Sequence, residues 1–423
     1  MFLFRGAAIG ASLALLALAP AALAAPRGKV VLERAVLERV VILQRHGVRP
    51  PTSTNDALAH YAQQPWPKWP VAAGELTAHG GETVRLVGSS LRRAYAGILP
   101  ARGCPASGEV VVWADGSDQR TRRSGEILAQ ALAPGCQVKA AWAPPLPRDP
   151  IFNGDRTAPA CRIEPAAAEQ ALAASIGPGG IQTPATRAAL ARLQAIVAPR
   201  ACAGGAGTCF SGPDRVVSGP NGPRLEGPLA TTASLAEDLL LEYAQGMPRS
   251  EVGWGRVGTA ADIAAVMPLH ERYFAVYHGD RYATSRDGAP MARLILAALA
   301  GEPGGRGPEV GPRTRLLALA GHDSNLVIMG AVFGLTWTLP DEPDSTAPAT
   351  ALAFELWSRG RMRYVRPAIY YASLDQLRTL SPATARRRVL QFRGCASGAM
   401  GGCPVSEVRR RVIAFIPPGC GPL

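Results

Sequence analysis

Strand-length apolar runs that stop abruptly at a glycine turn constrain this chain more than any other feature. Val40-Val41-Ile42-Leu43 reads as a buried strand. It runs out through Gln44-Arg45-His46-Gly47-Val48-Arg49, and Pro50 and Pro51 then forbid its continuation. Glu109 to Asp115 is a second strand, followed by a Gly116-Ser117 turn and an apolar helix that reaches Leu132 and stops at Gly135. Arg315 to Ala320 is another, ending in Gly321-His322-Asp323. Between the first two strands, Val84, Val87, Leu91, Tyr95 and Ile98 recur at helical spacing behind Thr77, a residue type suited to a helix cap. Strands alternating with helices predict an α/β fold with a mainly parallel central sheet flanked by helices. In such a sheet ligands bind beyond the carboxyl ends of the strands, which is where these turns fall.

The residue types at the turns suit a phosphate. Arg45 and Arg49 each present a planar fork that grips two oxygens, and His46 lies between them. Arg120 and Arg122 both lie where the helix after the second strand opens, and there free backbone N–H groups and the helix dipole attract anions. His322 and Asp323 add a second imidazole and a carboxylate. Taken alone, Arg-His-Gly is a short match and a His-Asp pair reads as a helix cap. Both motifs at strand ends, in this order, favour a phosphate site.

Met1 to Ala24 combines Arg5, an alanine- and leucine-rich run and a small-x-small end, the pattern of a secretory signal peptide. A soluble, periplasmic or secreted mature protein is therefore expected. Its eight cysteines, an even count in an exported chain, read as disulfides, and no Cys-x-x-Cys pair supports a metal site. Cys202 lies close to Cys209, and Cys395 to Cys403, which suits short local loops, but sequence alone does not choose the connectivity. The formal charge of +13 favours anionic surfaces or substrates. No basic run interleaved with aromatics and no nucleic-acid module accompanies it. The expected organisation is a signal peptide over 1–24, an α/β domain over 25–160 and 278–423, and a smaller inserted α-helical cap over 161–277. Thr183 to Val197 and Leu229 to Gln245 are the clearest helices of that cap. Pro65-Trp66-Pro67-Lys68-Trp69-Pro70 is a rigid loop with aromatics suited to packing, and Gly301 to Pro308 a flexible one.

The segment Arg45-His46-Gly47-Val48-Arg49-Pro50-Pro51-Thr52, with Gly321-His322-Asp323-Ser324-Asn325, resembles the paired signatures of the histidine acid phosphatases. Asp149-Pro150-Ile151-Phe152, Gly253-Trp254-Gly255-Arg256 and Thr336-Trp337-Thr338-Leu339-Pro340 extend the likeness from about Val40 to Cys420, closest to the bacterial periplasmic phytase branch. The resemblance implies hydrolysis of phosphate monoesters, phytate and sugar phosphates among them, by a monomer without cofactor or metal. It implies that His46 is the nucleophile that becomes phosphorylated and Asp323 the proton donor. It further implies that Arg45, Arg49, Arg120 and His322 bind the phosphoryl group, and that Glu237, Arg286, Ser53 and Ser324 contact substrate. It also supports Cys202–Cys209 and Cys395–Cys403 and implies Cys104–Cys136 and Cys161–Cys420. The chain departs from phytases at Ser53, where they carry lysine, and at Ser324, where the glucose-1-phosphatase branch has the same residue. A sugar phosphatase is the nearest alternative. A phosphomutase or a non-catalytic binder of phosphate esters would share the arginines.

Overall fold

The computed structural model describes residues 34–420 other than 101, 145–147, 155–158, 177–179, 218, 220–222, 306, 382–383 and 396–400. The expected signal peptide lies outside the described residues. The strands are β1 (Val36–Arg45), β2 (Val110–Ala114), β3 (Ala140–Ala141), β4 (Arg215–Val217), β5 (Arg224–Glu226), β6 (Leu316–Gly321), β7 (Ala351–Arg359), β8 (Met362–Tyr371), β9 (Arg386–Val389) and β10 (Cys403–Pro404). The main sheet runs β10-β8-β7-β1-β6-β2-β3, with β9 added on β8, and β4 and β5 form a separate hairpin. β1, β6, β2 and β3 are parallel, and the β7–β8 side of the sheet is antiparallel.

Helices cover both faces of β1. Val40 and Ile42 face Val84, Val87 and Leu91 of helix Ala78–Ala94 and Leu128 of helix Gln119–Leu132. Val41 and Leu43 face the opposite layer, with Ile295 of helix Ala289–Ala300 and Leu326 and Met329 of helix Asp323–Phe333. A strand buried on both sides needs apolar residues throughout, which is why the 40–43 run does not alternate.

The register brings the chemistry together. Arg45 pairs with Gly321 and Ala114 with Ala320, so β1, β6 and β2 end side by side. The His46 N–H donates to the Gly321 carbonyl (3.0 Å) and the Asp115 N–H to that of Ala320 (3.0 Å). β7 is antiparallel to β1 and starts opposite Gln44. Its preceding loop, residues 341–350, therefore arrives at the same edge.

The stretch from Pro165 to Tyr277 is mainly helical, with helices Pro165–Ile176, Pro184–Val197, Pro228–Ala244 and Pro268–Tyr277. Thr183 closes the second of these with a capping box. Leu193, Leu239, Leu240 and Leu269 form a core that also takes in Val48, Leu58 and Trp66. The helices thus pack directly on the turn that follows β1. Trp66 is a packing residue: its ring N–H donates to the Leu58 carbonyl (2.9 Å) and its face meets Trp254. The disulfides are Cys104–Cys136, Cys161–Cys420, Cys202–Cys209 and Cys395–Cys403. Among the described residues, no helix is long and apolar enough to cross a membrane.

Candidate active site

The turn after β1 is pressed against the start of helix Ala78–Ala94. A Cβ on Gly47 would lie 2.0 Å from the Gly80 carbonyl oxygen, and one on Gly80 2.0 Å from that of Val48. Two glycines are required for that backbone contact. It orients Arg45, His46 and Arg49 toward one buried point.

Arg45 is fully buried. Its Nη1 donates to Asp344 Oδ2 (3.0 Å) and to the Thr346 carbonyl (2.8 Å), and its Nη2 pairs with Asp323 Oδ2 (2.9 Å) and with Glu237 Oε1. One nitrogen anchors the side chain while the other faces the site. Arg49 donates to the Pro50 carbonyl (3.1 Å) and meets Glu237 Oε2 (3.3 Å). The Glu237 carboxylate, carried by helix Pro228–Ala244, therefore spans both guanidiniums. Burial would raise its pKa, but Arg49 and Arg45 more than offset that and hold it below the usual carboxylate range.

The His46 Nδ1 lies 2.8 Å from the Gly47 carbonyl oxygen. Only an N–H can bond to a carbonyl, so this contact assigns the proton to Nδ1 and leaves Nε2 unprotonated in the neutral ring. Burial, followed by the charges of Arg45, Arg49 and Arg120, holds the imidazole well below its ordinary pKa. His322 stands edge-on to it, with ring centroids 5.7 Å apart. The His322 Nε2 bonds Asp115 Oδ2 at 2.9 Å. Burial opposes ionisation of Asp115, yet the His322 and Ser117 contacts lower its pKa.

Asp323 begins helix Asp323–Phe333, and its Oδ1 accepts the Ser324 N–H (2.7 Å). Burial would raise its pKa, but Arg45, His46, Arg49 and His322 drive it well below the usual range. Arg120 meets Asp118 through both terminal nitrogens (2.9 and 3.1 Å) and faces Arg49 and Arg45. Arg122 instead turns back to the Gly116 carbonyl (2.5 Å). Arg120 is therefore the arginine of that turn that joins the cluster. Asp115, Asp118 and His322 hold atoms within 4.8 Å of one another that suit a metal ion. In this structure they are engaged with each other and with Arg120.

A cavity of about 680 Å³ opens over Arg120, His322, Asp323 and Ser324. Its outer wall includes Phe152, Tyr277, His278 and Asp287. Burial pulls His278 down to about 4. Two residues expected at substrate lie elsewhere. Ser53 is exposed in an adjoining groove with Lys68 and Trp69. Arg286 faces away: its guanidinium stacks on Tyr282 at 3.7 Å and lines a groove beside Phe415. On helix Arg281–Asp287 it is Ala283, Thr284 and Asp287 that turn to the cavity. A single position rotates a helical side chain by about 100°, so the neighbouring aspartate occupies the wall where an arginine was expected.

Asp115, Asp344 and Thr346 were not singled out from sequence. Asp115 had a signal, its place at the end of β2. Asp344 and Thr346 form a short turn in which Asp344 Oδ1 accepts the Thr346 N–H (2.8 Å), and nothing local shows that the following strand is antiparallel.

A buried histidine, neutral and ringed by arginines beyond the carboxyl edge of an α/β sheet, defines a phosphoryl-transfer site. The family model for the histidine phosphatase superfamily (branch 2) matches residues 36–170 and 232–369, and the chain belongs to that family. It is 31% identical over 410 residues to phytase AppA of Escherichia coli (strain K12), covering 91% of this chain and 93% of that protein. It is 26% identical over 387 residues to the glucose-1-phosphatase of Salmonella typhimurium, covering 88% and 90%. The apo form of Hafnia alvei phytase superposes with a TM-score of 0.84 at 33% identity, covering 91% of this chain and 98% of that one. The chain is accordingly a histidine-type phosphatase acting on small phosphate esters.

Proposed function

We propose that the protein hydrolyses phosphate monoesters through a phosphohistidine formed on His46. The observation that carries this is the 2.8 Å contact of Nδ1 with the Gly47 carbonyl, which leaves Nε2 as the nucleophilic nitrogen of a ring kept neutral by its surroundings. Nε2 forms a bond to phosphorus as the ester P–O bond breaks, and the leaving alkoxide takes a proton from Asp323. Water then attacks phosphorus, the N–P bond breaks, the water's proton passes to Asp323, and orthophosphate leaves. Arg45, Arg49, Arg120 and His322 neutralise the oxygens as charge builds on them.

Glu237 stands in the way of that reaction in the unliganded site. Its carboxylate occupies both guanidiniums, so the phosphoryl group must displace it to reach His46. The same arrival lets Asp323 take up a proton from solvent. A bound anion partners the arginines, withdraws their stabilisation of the Asp323 carboxylate and raises its pKa toward the protonated form.

Substrates of this reading are phytate and sugar phosphates, in line with relatives named phytase and glucose-1-phosphatase. Ser324, facing the cavity, favours a share of sugar-phosphatase character. The Met1–Ala24 pattern and the disulfides support export. His46→Ala tests the reading: turnover of an aryl phosphate should fall by about 10³-fold or more while orthophosphate still binds. Retained turnover would overturn the nucleophile assignment. Orthophosphate binding without turnover in the parent protein would favour a non-catalytic binder.

A further inference from the structure

Behind Arg45, helix Pro268–Tyr277 carries a histidine that takes no part in the phosphate cluster. His270 is 3% exposed, and its ring packs on Phe274 one turn further on, with centroids 4.4 Å apart. Its Nε2 is buried and, among the described residues, has no hydrogen-bond partner. Asp344 Oδ1 lies 3.9 Å away, too far for a hydrogen bond. That oxygen is already taken by the Thr346 N–H (2.8 Å) and hydroxyl (2.9 Å), and the other oxygen of Asp344 by Arg45. A lone pair turned toward a carboxylate would be repelled, so Nε2 carries the ring proton and is a donor. A buried donor without an acceptor is costly and uncommon in folded chains.

The acceptor it lacks is held by the same guanidinium. Asp344 and Glu237 occupy the two terminal nitrogens of Arg45. Burial raises the Glu237 carboxyl, Arg49 and Arg45 lower it, and His270 adds to the lowering, so ring and carboxylate are close enough to interact. Helices Pro228–Ala244 and Pro268–Tyr277 share one core through Leu235, Leu239 and Leu269, which fixes their separation. The Glu237 side chain can change rotamer without moving either helix. Glu271, the other carboxyl beside His270, already accepts the Ser345 N–H (2.9 Å) and hydroxyl (3.0 Å).

We infer that His270 is a positioning residue that receives the Glu237 carboxylate when a phosphoryl group displaces it from Arg45 and Arg49. The Nε2–H then donates to Glu237, and the carboxylate leaves the guanidiniums without becoming a buried, unpaired charge. Glu237 thus alternates between two partners, the arginines in the unliganded site and His270 in the occupied one. The exchange keeps the protein's own anion apart from that of the substrate. It rests on the phosphatase reading of the site and on the displacement of Glu237 that this reading requires.

Orthophosphate binding to the full chain, measured by calorimetry in a double-mutant cycle, tests the exchange. His270→Phe should weaken binding by about 5- to 20-fold, since the displaced carboxylate then has no donor. In a Glu237→Ala background there is no carboxylate to receive, and the same change should alter binding by less than about twofold. His270→Gln, which keeps an N–H in reach, should recover most of the loss. Equal weakening in both backgrounds is what a purely structural role of His270 produces, and it would overturn the inference. A crystal structure of the parent protein with orthophosphate gives a check that needs no variant. A Glu237 oxygen within about 3 Å of His270 Nε2 would support the exchange, and Glu237 still on the arginines, or turned away from His270, would overturn it. Failure of the parent protein to bind orthophosphate would instead remove the phosphatase reading beneath it.

Discussion

Asp323 is asked to donate a proton from a position that favours its anion. Arg45 Nη2 sits 2.9 Å from its carboxylate, and the Ser324 N–H donates to its other oxygen at 2.7 Å, both favouring the ionised form. If it protonates only when phosphate arrives, its loss should show in the leaving group. Asp323→Asn should slow esters of aliphatic alcohols by about 10²–10⁴-fold and aryl esters, whose phenolate departs unaided, much less. Equal losses on both would make Asp323 an orienting group for Arg45. Glu237 gives the complementary case. Because its carboxylate competes with phosphate for Arg45 and Arg49, Glu237→Gln should lower the inhibition constant of orthophosphate by about 3- to 10-fold near neutral pH. A rise in that constant would show that Glu237 holds the guanidiniums in place more than it blocks them.

At the scale of elements, the site depends on how closely the turn after β1 meets helix Ala78–Ala94. Gly80→Ala places a methyl carbon against the Val48 backbone, which cannot yield as a side chain can. The variant should lose about 1–3 kcal/mol of stability and, at temperatures where it is still folded, part of kcat, because Arg45 and His46 shift together. A fully active, fully stable variant would show that the helix adjusts freely. Much of this level was legible in the sequence. Arg45, His46, Arg49, Arg120, His322 and Asp323 follow parallel strands or start helices, so an apolar run and its stopping point were enough to bring them to one edge. The residues that escaped depend on other information. Asp344 reaches Arg45 because β7 runs antiparallel, and strand direction is a tertiary property. Arg286 turns to another groove because the outward or inward face of a short helix depends on a single position, finer than motif matching resolves.

The whole molecule carries an unusual set of buried carboxyls. Burial raises Asp238, Glu271 and Glu342 above the usual range and pushes Glu242 up to about 8. These groups hold their protons more strongly in the folded chain than in the unfolded one. Their contribution is therefore fully present below the ordinary carboxyl pKa and is lost as pH rises toward about 8. Asp115, Glu237 and Asp323, all lowered, act in the opposite sense: their contribution is present above the ordinary value and fades as pH falls below it. Stability should peak in mildly acidic solution, with a melting temperature about 5 °C or more higher at pH 5 than at pH 8, and Glu242→Gln should flatten the alkaline side. A melting temperature that rises between pH 5 and pH 8 would contradict this balance. The placement of β1 has a consequence for synthesis. Its neighbours β6 and β7 pair through Val40 with Leu316 and Ile42 with Ala353, so the middle strand is made first and neither partner before residue 316. At typical rates of about 5–20 residues per second, β1 waits roughly 15–60 s with both edges bare, a template for any other extended chain.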